Sequence, residues 1–376
     1  MNLTKILPGA TAISLMLTPM AHAEITVLEK NPHSYKLLAP LSLTVGGSIR
    51  PEWIFNQGTE PGYYSRGHDG GTRFRFGADY QLAPHTSLIG HYEWGVDLPH
   101  ALHLHKFYDE NGARDKQRKL FGGIKDDRYG TLTFGHQFGV YYSVVGMKSD
   151  VWDNDGHAQG TGLGINGDYD GGNRPKRSLM YTNDFGPLTL TTNYLLPEDE
   201  LHLNGLSYRR KNGTGLGIDY RLTPALTLSA AWSYTSAEMK NDAGQHKNYH
   251  QQLSGTALTW QPGNWYLVAT ASYYKDYVPD ERRPVLSNYF TGSGYGVEGF
   301  AGYTFNFNKL LLTSIQPYVA WDSLQLKTQP AWHANHVYIG AMTDFGHGVS
   351  VALEQTLAYT SDRETNSTWM TWFIAF

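Results

Sequence analysis

The sequence of 376 residues contains no cysteine, which excludes disulfide staples and thiolate metal sites. It has no surplus of positive charge either. Its 30 Lys and Arg residues are outnumbered by 34 Asp and Glu, a balance that speaks against nucleic acid as a partner. Long apolar runs are scarce: after Met20 nothing approaches the ~20 consecutive apolar residues of a membrane helix. No sustained 3.6-residue apolar stripe marks a helical domain. The spacings Gly-x-Ser-x-Gly and His-Glu-x-x-His are missing, so a hydrolase or zinc protease is not expected.

What is present begins with an export leader. Lys5 supplies a short positive start, and Ile6 to Met20 form a mostly apolar run interrupted by Pro8 and Gly9. Ala21-His22-Ala23 then offers the small residues that signal peptidase requires. The run is too short to span a bilayer as a helix. We expect residues 1–23 to be a cleaved signal peptide and 24–376 a single mature domain of 353 residues. Without Lys5 that domain has 29 basic residues against 34 acidic, a net charge of −5.

Aromatic residues make up 14% of the chain, with 26 Tyr and 10 Trp beside 41 Gly, yet the mean hydropathy is negative. A transmembrane β-barrel reconciles the two. Only every second residue of a barrel strand faces lipid, and aromatic girdles mark both interfaces. Period-2 alternation recurs along the chain: Leu226, Leu228, Ala230, Trp232 and Tyr234 alternate with Thr227, Ser229, Ala231 and Ser233. We place sixteen strands, near 41–55, 72–81, 86–95, 117–125, 130–137, 178–184, 188–195, 214–222, 226–235, 251–261, 265–274, 294–305, 314–322, 334–343, 350–360 and 368–376. Most are about the length at which a tilted strand crosses the hydrocarbon. Short connections with turn chemistry, such as Asp126-Asp127-Arg128-Tyr129 and Gln261-Pro262-Gly263-Asn264, alternate with long ones near 56–71, 96–116, 138–177, 196–213, 236–250, 275–293, 323–333 and 361–367. The expected fold class is all-β, a transmembrane antiparallel barrel of about 16 strands. The expected location is a bacterial outer membrane.

The final strand carries a local signal. Phe376, Ile374, Trp372 and Met370 step back along one face. This pattern resembles the recognition signal of the outer-membrane insertion machinery, although an ordinary amphipathic strand would read the same way.

Lys116 to Tyr142, KQRKLFGGIKDDRYGTLTFGHQFGVYY, resembles the trimeric general porins of enteric bacteria. The likeness is carried by Arg118, Phe121, Gly123, Lys125, Gly130, Phe134, Gly135 and Gly139, with looser support from Arg75-Phe76-Gly77 and Phe376. The resemblance implies a homotrimer of 16-stranded barrels, each with a long third loop folded into the lumen. It implies passive diffusion of small hydrophilic solutes and ions. The implied partners are outer-membrane lipids, lipopolysaccharide and the insertion machinery, with no cofactor and no nucleic acid. It further implies a constriction in which wall arginines oppose loop carboxylates. Arg75 and Arg118 match two wall arginines, and Arg174 a third, with Arg177 as its competitor because the register slips near Pro175. On the loop, Asp153 falls at the position of the family's pore carboxylate, flanked by Asp150 and Asp155. The chain departs from the family at Ser48, where a lysine is frequent, with Arg50 two residues on. It departs again in the loop, where VWDNDGHAQG replaces a Pro-Glu-Phe-Gly-Gly pattern.

Other readings stand beside this one. Trp152, with Tyr141 and Tyr142 leading into it, could form an aromatic slide for sugars, making the channel substrate-selective, or could simply pack the loop. Asp150, Asp153 and Asp155 alternate like calcium ligands, but no Glu follows at the twelfth position. His100, His103 and His105 could hold a transition metal, but no second cluster completes the set, and no bound metal is expected. An enzyme or adhesin built on the same barrel is the remaining alternative.

If cleavage follows Ala23, amino-terminal sequencing of protein recovered from outer-membrane fractions will read from Glu24. A cytoplasmic protein retaining Met1 would contradict the assignment.

Overall fold

The computed structural model describes residues 24–57, 64–104, 116–159, 171–203, 206–241, 243–277, 292–309, 311–327, 331–361 and 363–376. Its strands are β1 Ile25–Leu28, β2 Leu41–Ile49, β3 Pro51–Asn56, β4 His68–Asp69, β5 Arg73–Ala83, β6 Thr86–Gly95, β7 Lys116–Asp126, β8 Gly130–His136, β9 Ser178–Phe185, β10 Leu188–Leu195 and β11 Leu201–Leu203. They continue with β12 Leu206–Thr223, β13 Leu226–Asn241, β14 His246–Trp260, β15 Trp265–Tyr277, β16 Gly292–Tyr303, β17 Phe305–Lys309, β18 Leu312–Leu326, β19 Trp332–Asp344, β20 Val349–Thr360 and β21 Ser367–Ala375. All pair antiparallel in one sheet, and β21 returns to pair with β2 and β3, so the sheet is closed. Counting β2 with β3 and β16 with β17 as single staves, and setting aside the short β1, β4 and β11, the barrel has sixteen staves, as expected from the sequence.

Closure follows from the solvent. In hydrocarbon an unpaired backbone group costs several kcal/mol, so a sheet edge cannot face lipid. The side chains follow the same logic in reverse of a soluble protein. Phe76, Leu120, Leu132, Phe134, Leu216, Trp232, Val319, Ile339 and Leu353 are exposed on the outer face. Their strand neighbours, such as Ser229, Ser233 and Ala352, are buried on the inner one. Trp265, Tyr303 and Phe305 pack edge to face near the short-turn rim, with centroids 4.9 and 4.8 Å apart, as an interface girdle does.

Proline within a stave is tolerated only where a ladder bond can be lost. The pairing runs from Gly302 opposite Tyr318 to Phe305 opposite Ile315. Pro317 therefore falls at the gap that divides β16 from β17.

Several staves outrun their expected lengths. The eighth, placed at 214–222, spans Leu206–Thr223, and β13 and β14 extend to Asn241 and back to His246. The connections expected at 196–213 and 236–250 are correspondingly shorter. The physical reason lies in a reversal of polarity above the bilayer. There the inward Tyr208, Ala237, Met239 and Tyr249 are buried, while Arg209, Lys211 and Lys240 face water. Polar residues on the outer face break the lipid-facing alternation over these extensions.

At the seam, the Gly47 N–H donates to the Phe376 carbonyl at 2.8 Å and the Phe376 N–H to the Gly47 carbonyl at 3.2 Å. The Phe376 ring lies 5.8 Å from that of Phe74. Trp372 and Ile374 sit on the outer face of β21. Substituting Phe376 with Asp should therefore lower the yield of heat-modifiable, folded barrel on gels. Wild-type yield would show that this seam does not govern assembly.

Candidate functional site

The inner faces of β2, β3 and β5–β7 gather cations around one carboxylate. Arg73 and Arg75 share the inner face of β5 by strand alternation. Across the ladder, Arg75 stands next to Glu93. Arg75 Nε donates to Glu93 Oε2 at 2.8 Å and Arg118 Nε to Oε1 at 2.9 Å, while Lys119 Nζ lies 3.2 Å from Oε2. Two consecutive residues reach the same carboxylate because the β6–β7 register shifts beside Glu93, a bulge that turns Arg118 inward with Lys119. Arg50 Nε donates to Ser48 Oγ at 2.9 Å and its guanidinium lies 5.1 Å from the centre of the Phe373 ring. It acts electrostatically on Arg75, Arg118 and Glu93, and on Asp155 from the far side.

That far side is the third long loop, which leaves β8 and runs down the inner wall of the opposite staves. It begins with a wide turn, Tyr142–Gly146, and a single helical turn, α1, Met147–Ser149. Glycines clear its track. A Cβ at Gly217 would lie 2.7 Å from Val144 Cγ2, and one at Gly255 3.1 Å from both Tyr141 and Val145. An inward glycine within a strand is the mark of a close backbone approach. Wall carboxylates then receive the loop's amides. The Ala158 and Gln159 N–H groups donate to Glu298 Oε1 at 2.8 and 2.6 Å, and Ser149 Oγ also donates to Glu298. The Asp153 and Asn154 N–H groups donate to the two oxygens of Glu354, each at 3.2 Å, and the His157 N–H to Asp322 at 2.9 Å. Lys148 Nζ pairs with Asp219 at 3.0 Å.

The sequence candidates fall into three groups. Arg75 and Arg118 are in the cation cluster on the wall. Asp150 accepts a short hydrogen bond from Tyr142, and Asp155, with positive φ, faces Arg50. Asp153 Oδ2 accepts from Thr371 at 2.9 Å. Although half-exposed by surface area, its carboxyl is enclosed by protein, and burial with Glu52 and Glu354 nearby pushes it well above the usual carboxylate range. Arg174 sits at the loop's return, where it acts on Tyr142. Arg177, its competitor, is at the outer rim, paired with Asp199 at 2.8 Å.

Tyr141, Tyr142 and Trp152 are buried, and Trp152 lies parallel to Phe300 at 6.2 Å. They pack the loop and do not form a slide. His100 and His103 are exposed, and His105 lies outside the described residues. Sequence reasoning missed Glu93, Lys119, Arg73 and the anchors Glu298, Asp322 and Glu354. Their signal was available: each anchor is a lone carboxylate at an inward position of an expected strand.

A family model described as Gram-negative porin matches residues 9–369. Outer membrane protein F of Serratia marcescens is 26% identical over 263 residues, covering 65% of each chain, so the match spans less than two thirds of that relative. Among solved structures, OmpF of Salmonella typhi in complex with daunomycin superposes with a TM-score of 0.70 at 15% identity, over 90% of this chain and 98% of that one. The trimer form of in-vitro folded OmpT of Vibrio cholerae gives 0.60 at 14% identity, over 89% and 99%. At these identities the structures speak for the fold.

The glycine track generates a direct test. Substituting Gly217 with Val should force Val140 and Val144 off the wall and destabilise the barrel by about 1–3 kcal/mol, the usual scale of overpacking. Equilibrium urea unfolding in lipid vesicles measures it, and unchanged stability would mean that the loop is not held against β12.

Proposed function

Because the chain belongs to the Gram-negative porin family, we propose that it forms a water-filled channel in the outer membrane for passive diffusion of small hydrophilic solutes and ions, and that it is not an enzyme. The observation that carries this reading is the third loop laid along β12–β21 with charged groups left facing across the lumen. In this proposal the narrowest passage runs between the wall cations Arg50, Arg73, Arg75, Arg118 and Lys119 and the loop carboxylates Asp150, Asp153 and Asp155, with Arg174 at the loop root. Opposed charges on low-dielectric walls set up a transverse field that favours polar, orientable solutes over apolar ones. Burial of Trp152 supports a general channel over a sugar-selective one.

The proposal extends to assembly and surroundings. The mature chain starts at Glu24, whose carboxylate accepts from Thr44 Oγ1 at 3.1 Å beside the seam. The insertion machinery reads β21 through Phe376, Ile374 and Trp372, three copies associate as in the OmpT trimer, and lipid and lipopolysaccharide surround the apolar band.

Reversal potential under a salt gradient tests the constriction. At recording salt the Debye length is only ~3–10 Å, so charges at the narrowest point dominate. Substituting Arg118 with Ala should shift selectivity towards cations and Asp155 with Asn towards anions. Asp153→Asn should do less, because its carboxyl is held towards the neutral form. If neither Arg118→Ala nor Asp155→Asn moves the potential, these residues do not line the passage.

A further inference from the structure

One cluster of metal-ligating side chains lies apart from the cation wall. Asp322 on β18 and His336 on β19 are directly opposite each other in the ladder, both on the inner face. The third loop brings His157 over them, with its ring centroid 4.7 Å from that of His336. One donor atom from each of the three residues lies within 4.8 Å of the other two. His157 Nδ1 is 3.4 Å from Asp322 Oδ2, and His336 Nδ1 is 2.7 Å from Asp322 Oδ1.

We propose that His157, Asp322 and His336 form a binding site for a divalent transition cation of the zinc, copper or nickel class. Two imidazoles and one carboxylate suit such ions, whereas calcium and magnesium take oxygen ligands. Bonds of ~2.0–2.1 Å at tetrahedral angles place neighbouring ligand atoms about 3.3 Å apart. The His157 contact, 3.4 Å to Oδ2, is close to that value, whereas His336 lies 2.7 Å from the other oxygen, Oδ1, so the carboxylate must turn to present one oxygen to both rings as the His336 hydrogen bond gives way to the metal.

The surroundings orient the ligands. His336 Nε2 lies 3.3 Å from Glu364 in the connection after β20, an arrangement that keeps a proton on Nε2, while the Nδ1 proton now donated to Asp322 Oδ1 is released as the metal takes its place. Tyr338 donates its hydroxyl to Asp322 Oδ2 at 2.7 Å, fixing the carboxylate. In the metal-bound form, with the displaced proton gone, Asp322 and Glu364 bring a charge of −2 to the divalent cation. Asp322 and His336 side chains are closed to water, while that of His157 is 25% exposed, giving an ion entry from the lumen side. A bound ion would tie the third loop to β18 and β19.

The test uses the full mature chain, folded and reconstituted, with zinc chloride in equilibrium dialysis and cobalt chloride as an optical probe. Wild type should bind one ion per chain and show d–d absorption bands with cobalt. His157→Gln, a loop change that leaves the staves intact, should abolish both. Tyr338→Phe should weaken binding by about tenfold, the lower end for loss of an orienting group. The double variant His100→Ala, His103→Ala should bind as wild type. Absence of stoichiometric binding to wild type, or binding undiminished in His157→Gln, overturns the proposal. Channel conductance plays no part in the readout, so this result is independent of the proposed diffusion function.

Discussion

A backbone amide or carbonyl in hydrocarbon has only other protein groups to bond, and this requirement orders the whole molecule. It closes the sheet, because an edge would leave groups unpaired at several kcal/mol each. It brings β21 back to β2 and β3. The same requirement acts again inside the barrel, where an irregular loop lies against a wall whose own amides are already paired. The loop's N–H groups are taken up by carboxylates instead: two by Glu298, two by Glu354 and one by Asp322.

This explains why the two halves of the lumen differ electrically. On the loop-bearing half, acidic side chains are engaged with amides and hydroxyls, and Lys148 is matched by Asp219. On the other half, Glu93 contacts Arg75, Arg118 and Lys119, with Arg50 and Arg73 close by. Breaking a buried ion pair by removing one partner leaves an uncompensated charge, so Glu93 holds together a cluster that would otherwise repel itself.

Much of this architecture could be read directly from residue order. Period-2 alternation located all sixteen staves, and the turn residues between them separated short connections from long. The alternation was least informative where lipid gives way to water, at residues 206–213 and 236–250, because both faces there carry polar groups or the inner face is the apolar one. For the site, Arg75 and Arg118 were visible through resemblance. Glu93 was not, because a carboxylate among Tyr92 and Trp94 means little until Arg75 is known to stand beside it. The inward glycines Gly217 and Gly255 were in plain view, but their meaning depends on a loop more than seventy residues earlier in the chain.

The loop's attachment to one set of staves has a consequence for how such a protein changes over generations. Most residues that hold the third loop lie on β12–β20, whereas Arg73, Arg75, Arg118 and Lys119 of the cation cluster lie on β5 and β7. If the cation cluster sets ion preference as proposed, substitutions that retune it can accumulate on β5–β7 without loosening the fastening of the loop, and the fastening can drift without resetting the cluster. The barrel keeps its loop fastening and its cation cluster on separate strands, and each is free to diverge at its own pace.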